Sequence, residues 1–149
     1  EDAVSNGFIN YLGTTSDVLP IIREADCMVL PSYREGISRV LMEAASMEKP
    51  IIATNVTGCR EVINDGETGF LCKVKSPVDL AHKMAKIINM TEKEKVVMGQ
   101  KGRAKVIEEM DLEKIIDIYD YKIAAVLGEE EGITVDLQEL ISLRKTKKI

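Results

Sequence analysis

Glu35, Gly36 and Glu43 have the side chains and spacing for binding chemistry, within the run Pro31 to Thr54, PSYREGISRVLMEAASMEKPIIAT. Ionised carboxylates accept hydrogen bonds from hydroxyls, and each charge-assisted contact is worth about 1.5–3 kcal/mol. A helix starting between the two glutamates supplies unpaired N–H groups and the positive end of a dipole. N–H groups for an anion beside carboxylates for hydroxyls suit a ligand that carries both phosphate and sugar. Glycine at 36 has no Cβ, so backbone there can approach a ligand closely or take a positive φ.

Each residue also has a purely structural reading. Ser32 and Glu35 have the spacing of a capping box, which would make Glu35 a helix-start device. Glu43 has Arg39 and Lys49 as candidate surface partners. A second polar loop, Thr54-Asn55-Val56-Thr57-Gly58, leaves the next strand and leads into a helix at Cys59-Arg60-Glu61-Val62. Two such loops side by side make a crevice; the alternative is an ordinary connection capped by Thr57. Spacing alone leaves both readings open.

The elements that must position these residues alternate between strand and helix. Phe8 to Leu12 (FINYL), bracketed by Gly7 and Gly13, reads as a strand, and Asp17–Arg23 as a short helix with Pro20 in its first turn. Cys27 to Pro31 (CMVLP) is continuously apolar, as in a strand buried on both faces. The central helix spans about Ile37 to Met47, with Ile37, Val40, Leu41, Ala44 and Ala45 forming one apolar stripe and Glu43 at its margin. Ile51 to Ala53 and Gly69 to Val74 complete the strands, and Asn64-Asp65-Gly66 marks a turn. Helices follow near Val78–Asn89, Glu92–Glu109 and Leu112–Leu127, the first opened by Ser76-Pro77. This alternation predicts an α/β fold, a Rossmann-like parallel sheet flanked by helices.

A chain of 149 residues, 45% hydrophobic and 30% charged, has the size and composition of one globular domain with its own core. No apolar run reaches the roughly 20 residues of a membrane span, and the first residues lack signal-peptide character. A formal net charge of −5 argues against nucleic-acid binding. The last residues, with Arg144, Lys145, Lys147 and Lys148, form a basic tip suited to anionic lipid or to a solvated, frayed tail. Cys27, Cys59 and Cys72 lack metal-ligand spacing, and their odd number without a secretion signal points to a reducing compartment. His82, the one histidine, lies on a lysine-rich helix, which nearly excludes a Ser/His/Asp triad.

From Phe8 to Ala85 the chain resembles the C-terminal, donor-binding domain of GT-B glycosyltransferases of the large retaining family four, the group 1 glycosyl transferases. Tyr11-Leu12-Gly13 with Asp17-Val18, and Ala25-Asp26 leading to Leu30-Pro31-Ser32, carry the first part of the likeness. Glu35-Gly36, Glu43-Ala44 and Pro50-Ile51-Ile52-Ala53-Thr54 follow, then Gly58-Cys59-Arg60-Glu61-Val62 and Asp65-Gly66 with Gly69-Phe70-Leu71. The PSYREG and GCREVI versions resemble bacterial enzymes that build capsule, lipopolysaccharide or lipid-linked oligosaccharides.

The resemblance implies a role for each matching position. Glu35 would hold the donor sugar near the reacting centre, and Glu43 the ribose hydroxyls. Backbone N–H groups at Gly36, Ile37 and Ser38 would face the sugar and diphosphate. Gly13, Thr14 and Thr15 would border the nucleobase, and Thr54 and Gly58 would line the donor site from the second loop. It implies no metal and no cofactor, the donor being a nucleoside-diphosphate sugar of the UDP type. The saccharide or lipid-linked acceptor would bind through an N-terminal domain, in the cytoplasm or peripherally at the inner face of the plasma membrane. Residues 1–127 would then be a partial donor domain lacking its first two strand–helix units, with 128–149 an appendage, and the isolated chain would be inactive.

Two positions depart from the family pattern. Glu48 stands where a glycine usually ends the long helix, and left-handed geometry there costs a glutamate about 1 kcal/mol or more. Ser38 replaces a frequent proline, a mild change because both suit a helix start. Two other functional classes remain: a binding module that keeps the nucleotide pocket without chemistry, and a receiver-like α/β interaction domain. The latter lacks support, because Tyr11-Leu12-Gly13 brings no acidic cluster to the end of the first strand.

Overall fold

The computed structural model describes residues 2–113, 116, 117, 119 and 123. A three-stranded parallel sheet lies at its centre, in the order β1 (Met28–Leu30), β2 (Ile51–Thr54), β3 (Gly69–Cys72). Met28 pairs with Ile51 and Ile51 with Gly69, so the three strands end together at Leu30, Ala53–Thr54 and Cys72. Helix α3 (Arg39–Ser46) connects β1 to β2, and α4 (Thr57–Val62) connects β2 to β3. Polar loops therefore collect at the C-terminal ends of the strands, the end at which open α/β sheets bind ligands.

Packing follows from strand alternation. Ile51 and Ala53 of β2 join Leu41, Ala44, Ala45 and Val62 in one core cluster, and Ile52 turns to the other face against Ile87 and Met98. The second cluster comes from α5 (Pro77–Asn89) and α6 (Glu92–Glu109), so the sheet is covered on both sides. All four residues of β2 are buried, as a central strand requires, whereas β1 is only half-buried. The apolar run at Cys27–Pro31 thus forms the edge strand of the described sheet, yet both its faces are covered as expected, Met28 and Leu30 packing against one core cluster and Cys27 and Val29 against the other.

Local chemistry sets the helix ends. The Ser76 hydroxyl accepts the Asp79 N–H at 3.3 Å to open α5, and Thr91 with Glu94 forms a capping box at the start of α6. Helix α3 closes with the Glu48 N–H donating to the Ala45 carbonyl (2.9 Å) and the Lys49 N–H to that of Ala44 (3.0 Å). This is the Schellman pattern, and Glu48 occupies its left-handed position with φ of 58°. Arg103 supports the turn, donating to the Ser46 carbonyl at 2.8 Å and standing 3.9 Å from the Glu48 carboxylate.

Several expectations are corrected. FINYL forms no strand: Phe8 is 84% exposed and Tyr11 75%, and the segment is irregular. A strand needs a neighbour for its N–H and C=O groups, and the described sheet pairs none with this run. A four-residue helix α1 (Asp2–Ser5) precedes it, and α2 (Leu19–Glu24) follows, its Leu19 N–H bonded to the Asp17 carboxylate at 3.0 Å. Helix α3 starts two residues later than its apolar spacing predicts, leaving Ile37 61% exposed outside the stripe. One compact unit closes at Met110. The expected helix over 112–127 is described only at scattered positions, and the appendage 128–149 with its basic tip lies outside the described residues.

Candidate functional site

The loop from Pro31 to Ser38 leaves the end of β1 and is pinned by two hydrogen bonds. The Thr54 hydroxyl, buried at the end of β2, donates to the Ser32 carbonyl. The Ser32 hydroxyl donates to Glu35 Oε1 at 2.6 Å. A buried threonine in one strand thereby fixes a carboxylate in the loop that follows its neighbour. The capping-box reading fails, because the N-cap of α3 is Ser38 and both Ser32 and Glu35 lie ahead of the helix. Glu35 is half-buried, with one carboxylate oxygen engaged by Ser32.

Gly58 brings the second loop onto the first. A Cβ built on it would lie 1.7 Å from the Gly36 carbonyl oxygen and 2.8 Å from that of Glu35. No side chain fits there, so glycine lets the two backbones touch. Gly36 is the opposite case: a Cβ on it would meet nothing within 4 Å. The protein's own atoms do not require glycine at 36, and the space beside it is open.

Electrostatics tie the same groups together. Burial pushes the Cys59 thiol above its ordinary range, the Glu35 negative charge raises it further, and a hydrogen bond with Thr54 opposes both. Cys59 is fully buried behind the loops, a free thiol that acts as a small hydrophobe.

The helix start offers N–H groups beyond the three positions expected. The first bond within α3 runs from the Met42 N–H to the Ser38 carbonyl at 3.1 Å. The N–H groups of Ser38, Arg39, Val40 and Leu41 thus have no partner inside the helix, whereas Gly36 and Ile37 form a bend before it. Of the expected anion donors, only Ser38 belongs to the helix start, where its side chain is buried. Glu43 lies in the second turn of α3, half-buried at the margin of the apolar stripe. Lys49 donates its ammonium to the Arg23 carbonyl at 2.6 Å, so one suggested surface partner of Glu43 is engaged elsewhere.

Gly13, Thr14 and Thr15 form an exposed segment ahead of α2, with φ of 76° at Gly13. The Thr15 hydroxyl donates to the Asp17 carbonyl at 2.9 Å and accepts the Asp17 N–H at 3.1 Å, which makes it part of the helix entry. The structure brings Glu35, Gly36, Thr54 and Gly58 together, and Gly13–Thr15 is exposed and irregular ahead of α2.

One feature escaped the sequence reading. A hollow of about 400 Å³ opens at the strand ends, lined among others by Tyr33, Thr54, Lys73, Lys75 and Ser76. Of the expected site residues it includes Thr54. The signal was two lysines, two apart, directly after the strand GFLC in a loop of ligand-binding type. Exposed lysines after a strand read equally well as solvated surface.

Comparison with known proteins decides the family. Residues 5–105 match the model of the glycosyl transferases group 1. The chain belongs to this family. It is 32% identical over 122 residues to N-acetyl-alpha-D-glucosaminyl L-malate synthase of Bacillus anthracis, covering 82% of this chain and 32% of that protein. It is also 32% identical over 117 residues to the capsular polysaccharide biosynthesis glycosyltransferase CapM of Staphylococcus aureus, covering 78% and 30%. The group 1 chain thus spans about a third of the length of these relatives. In fold it is similar to Anabaena HepE in complex with UDP, with a TM-score of 0.75 at 21% identity over 80% of this chain and 33% of that one. A glycosyltransferase from Rickettsia africae gives 0.71 at 25% identity over 80% and 34%. The group 1 domain is a parallel sheet flanked by helices that matches GT-B glycosyltransferases. Among the described residues no helix is long and apolar enough to cross a membrane.

Proposed function

We propose that this chain provides the donor-binding part of a glycosyltransferase that acts in cell-surface polysaccharide assembly. The donor is a nucleoside-diphosphate sugar of the UDP type, and transfer to a saccharide or lipid-linked hydroxyl retains the anomeric configuration. The observation that carries this reading is the Glu35 carboxylate, fixed by Ser32 at 2.6 Å beside the open position of Gly36 at the C-terminal end of the sheet. Structures of Anabaena HepE with UDP and with UDP-glucose support the donor class.

In this reading Glu35 accepts hydrogen bonds from the donor sugar, and Glu43 from the ribose. The start of α3 faces the diphosphate, so its dipole and free N–H groups stabilise charge as the sugar C1–oxygen bond breaks. The acceptor oxygen bonds to C1, and its proton leaves with the released diphosphate. The chain's own residues contribute position and electrostatics, with no metal.

Glu35→Gln in the full-length protein tests the assignment. Loss of a charge-assisted bond worth about 1.5–3 kcal/mol lowers transfer by roughly 10- to 150-fold. Transfer at the wild-type rate would reject the role. Tight UDP-sugar binding by calorimetry, with no transfer when an acceptor domain is supplied, would instead favour a non-catalytic binding module.

A further inference from the structure

Apart from Thr54, the residues of the hollow at the strand ends have no part in the donor roles above, yet its wall is continuous with the Glu35 loop. Thr54 lines it and donates to the Ser32 carbonyl, and the Ser32 hydroxyl in turn holds Glu35. Its volume of about 400 Å³ is that of a small-molecule site. Its charged lining is cationic: Lys73 and Lys75 flank an opening that also presents the Ser76 and Tyr33 side chains. No carboxylate is among its lining residues, and nearby Asp79 uses one carboxylate oxygen to accept the Lys73 backbone N–H at 2.7 Å.

Two further observations set Lys75 apart from an ordinary surface lysine. Its backbone is held at φ of 57°, where a residue with a Cβ is strained. Its ammonium lies 5.5 Å from the centroid of the Tyr33 ring, which comes from the first loop. The third strand's loop is therefore latched to the loop that carries Glu35, with a lysine as the latch. Strain of this sort in a loop that lines a cavity points to a functional position.

We propose that Lys73 and Lys75 bind a phosphoryl group in this hollow, a site that does not depend on the glycosyl-transfer reading. Glu35 and Gly36 are not among the residues that line the hollow, so a donor held by them leaves it free for a second ligand. A phosphorylated or diphosphate-linked saccharide has the required anion beside its hydroxyls.

The test titrates the full chain with pyrophosphate and follows amide shifts by NMR. Expected are shifts centred on Thr54 and on Lys73 to Ser76, with affinity about tenfold weaker in Lys73→Gln/Lys75→Gly. Glycine at 75 keeps the left-handed backbone, and an unfolding midpoint no lower than that of the wild type confirms that the double variant folds. Glu35→Gln leaves pyrophosphate binding unaltered, so failure of the catalytic assignment and failure of this one are separable. Shifts scattered over the surface, or equal affinity in the double variant, overturn the site. Displacement of pyrophosphate by saturating UDP overturns a second site, because the hollow would then belong to the donor.

Discussion

Gly58→Ala tests the geometry on which the site depends. The added Cβ falls 1.7 Å from the Gly36 oxygen and 2.3 Å from its carbonyl carbon. Carbon–oxygen contacts settle near 3.3 Å, so the two loops must part by about 1.6 Å. Neither backbone is free to yield: Gly58 lies in α4, and the first loop is held through Thr54, Ser32 and Glu35. Overpacking at a buried position costs about 1–3 kcal/mol, and a displacement of about 1 Å at a reacting centre lowers rate by roughly a hundredfold. Urea unfolding reads the first effect, and a transfer assay of the proposed glycosyltransferase activity reads the second. Gly36→Ala is the control, since its Cβ meets nothing. It leaves stability within about 0.5 kcal/mol, so any loss of transfer reports a clash with ligand. Wild-type stability and transfer in Gly58→Ala would refute the contact between the loops.

Three further outcomes follow from the packing. Glu48→Gly relieves the left-handed strain at the end of α3 but gives up the Arg103 contact, and raises stability by up to about 1 kcal/mol in urea unfolding. Thr91→Ala removes the cap of α6 and lowers stability by about 1 kcal/mol, read as a lower thermal midpoint. Burial pushes the Cys27 thiol from 9.0 up to about 11. Because the folded state holds this proton more tightly, its contribution is complete below pH 9 and is lost as pH rises towards 11, and Cys27→Ala flattens that fall in unfolding titrations.

Much of the fold was legible because its signals are local. Val40, Leu41, Ala44 and Ala45 repeat at helical spacing, Ser76-Pro77 marks a helix start, and the apolar runs read at 27–31, 51–53 and 69–74 became the sheet of 28–30, 51–54 and 69–72. The candidate site was legible in its residue types, since Glu35, Gly36, Thr54 and Gly58 do meet. Their reasons were not. Gly58 faces another loop, which spacing along the chain cannot reveal, and Ser32 meets Glu35 as a side-chain pair where the pattern suggested a helix cap. FINYL failed as a strand because an apolar run states a preference, and only a neighbour completes its hydrogen bonds. The left-handed Glu48 was anticipated, but not the Arg103 support that comes from a helix far along the chain.

By itself the sequence determined periodicity, turn chemistry and the kinds of group on offer, since these depend on residues a few positions apart. Tertiary structure decided which strand lies at the centre, which carboxylate is pinned, where two lysines and a tyrosine close on a hollow, and why residue 58 has no side chain. Those outcomes depend on contacts between segments distant along the chain, and they exist only once burial of β2 has drawn the loops to one end of the sheet.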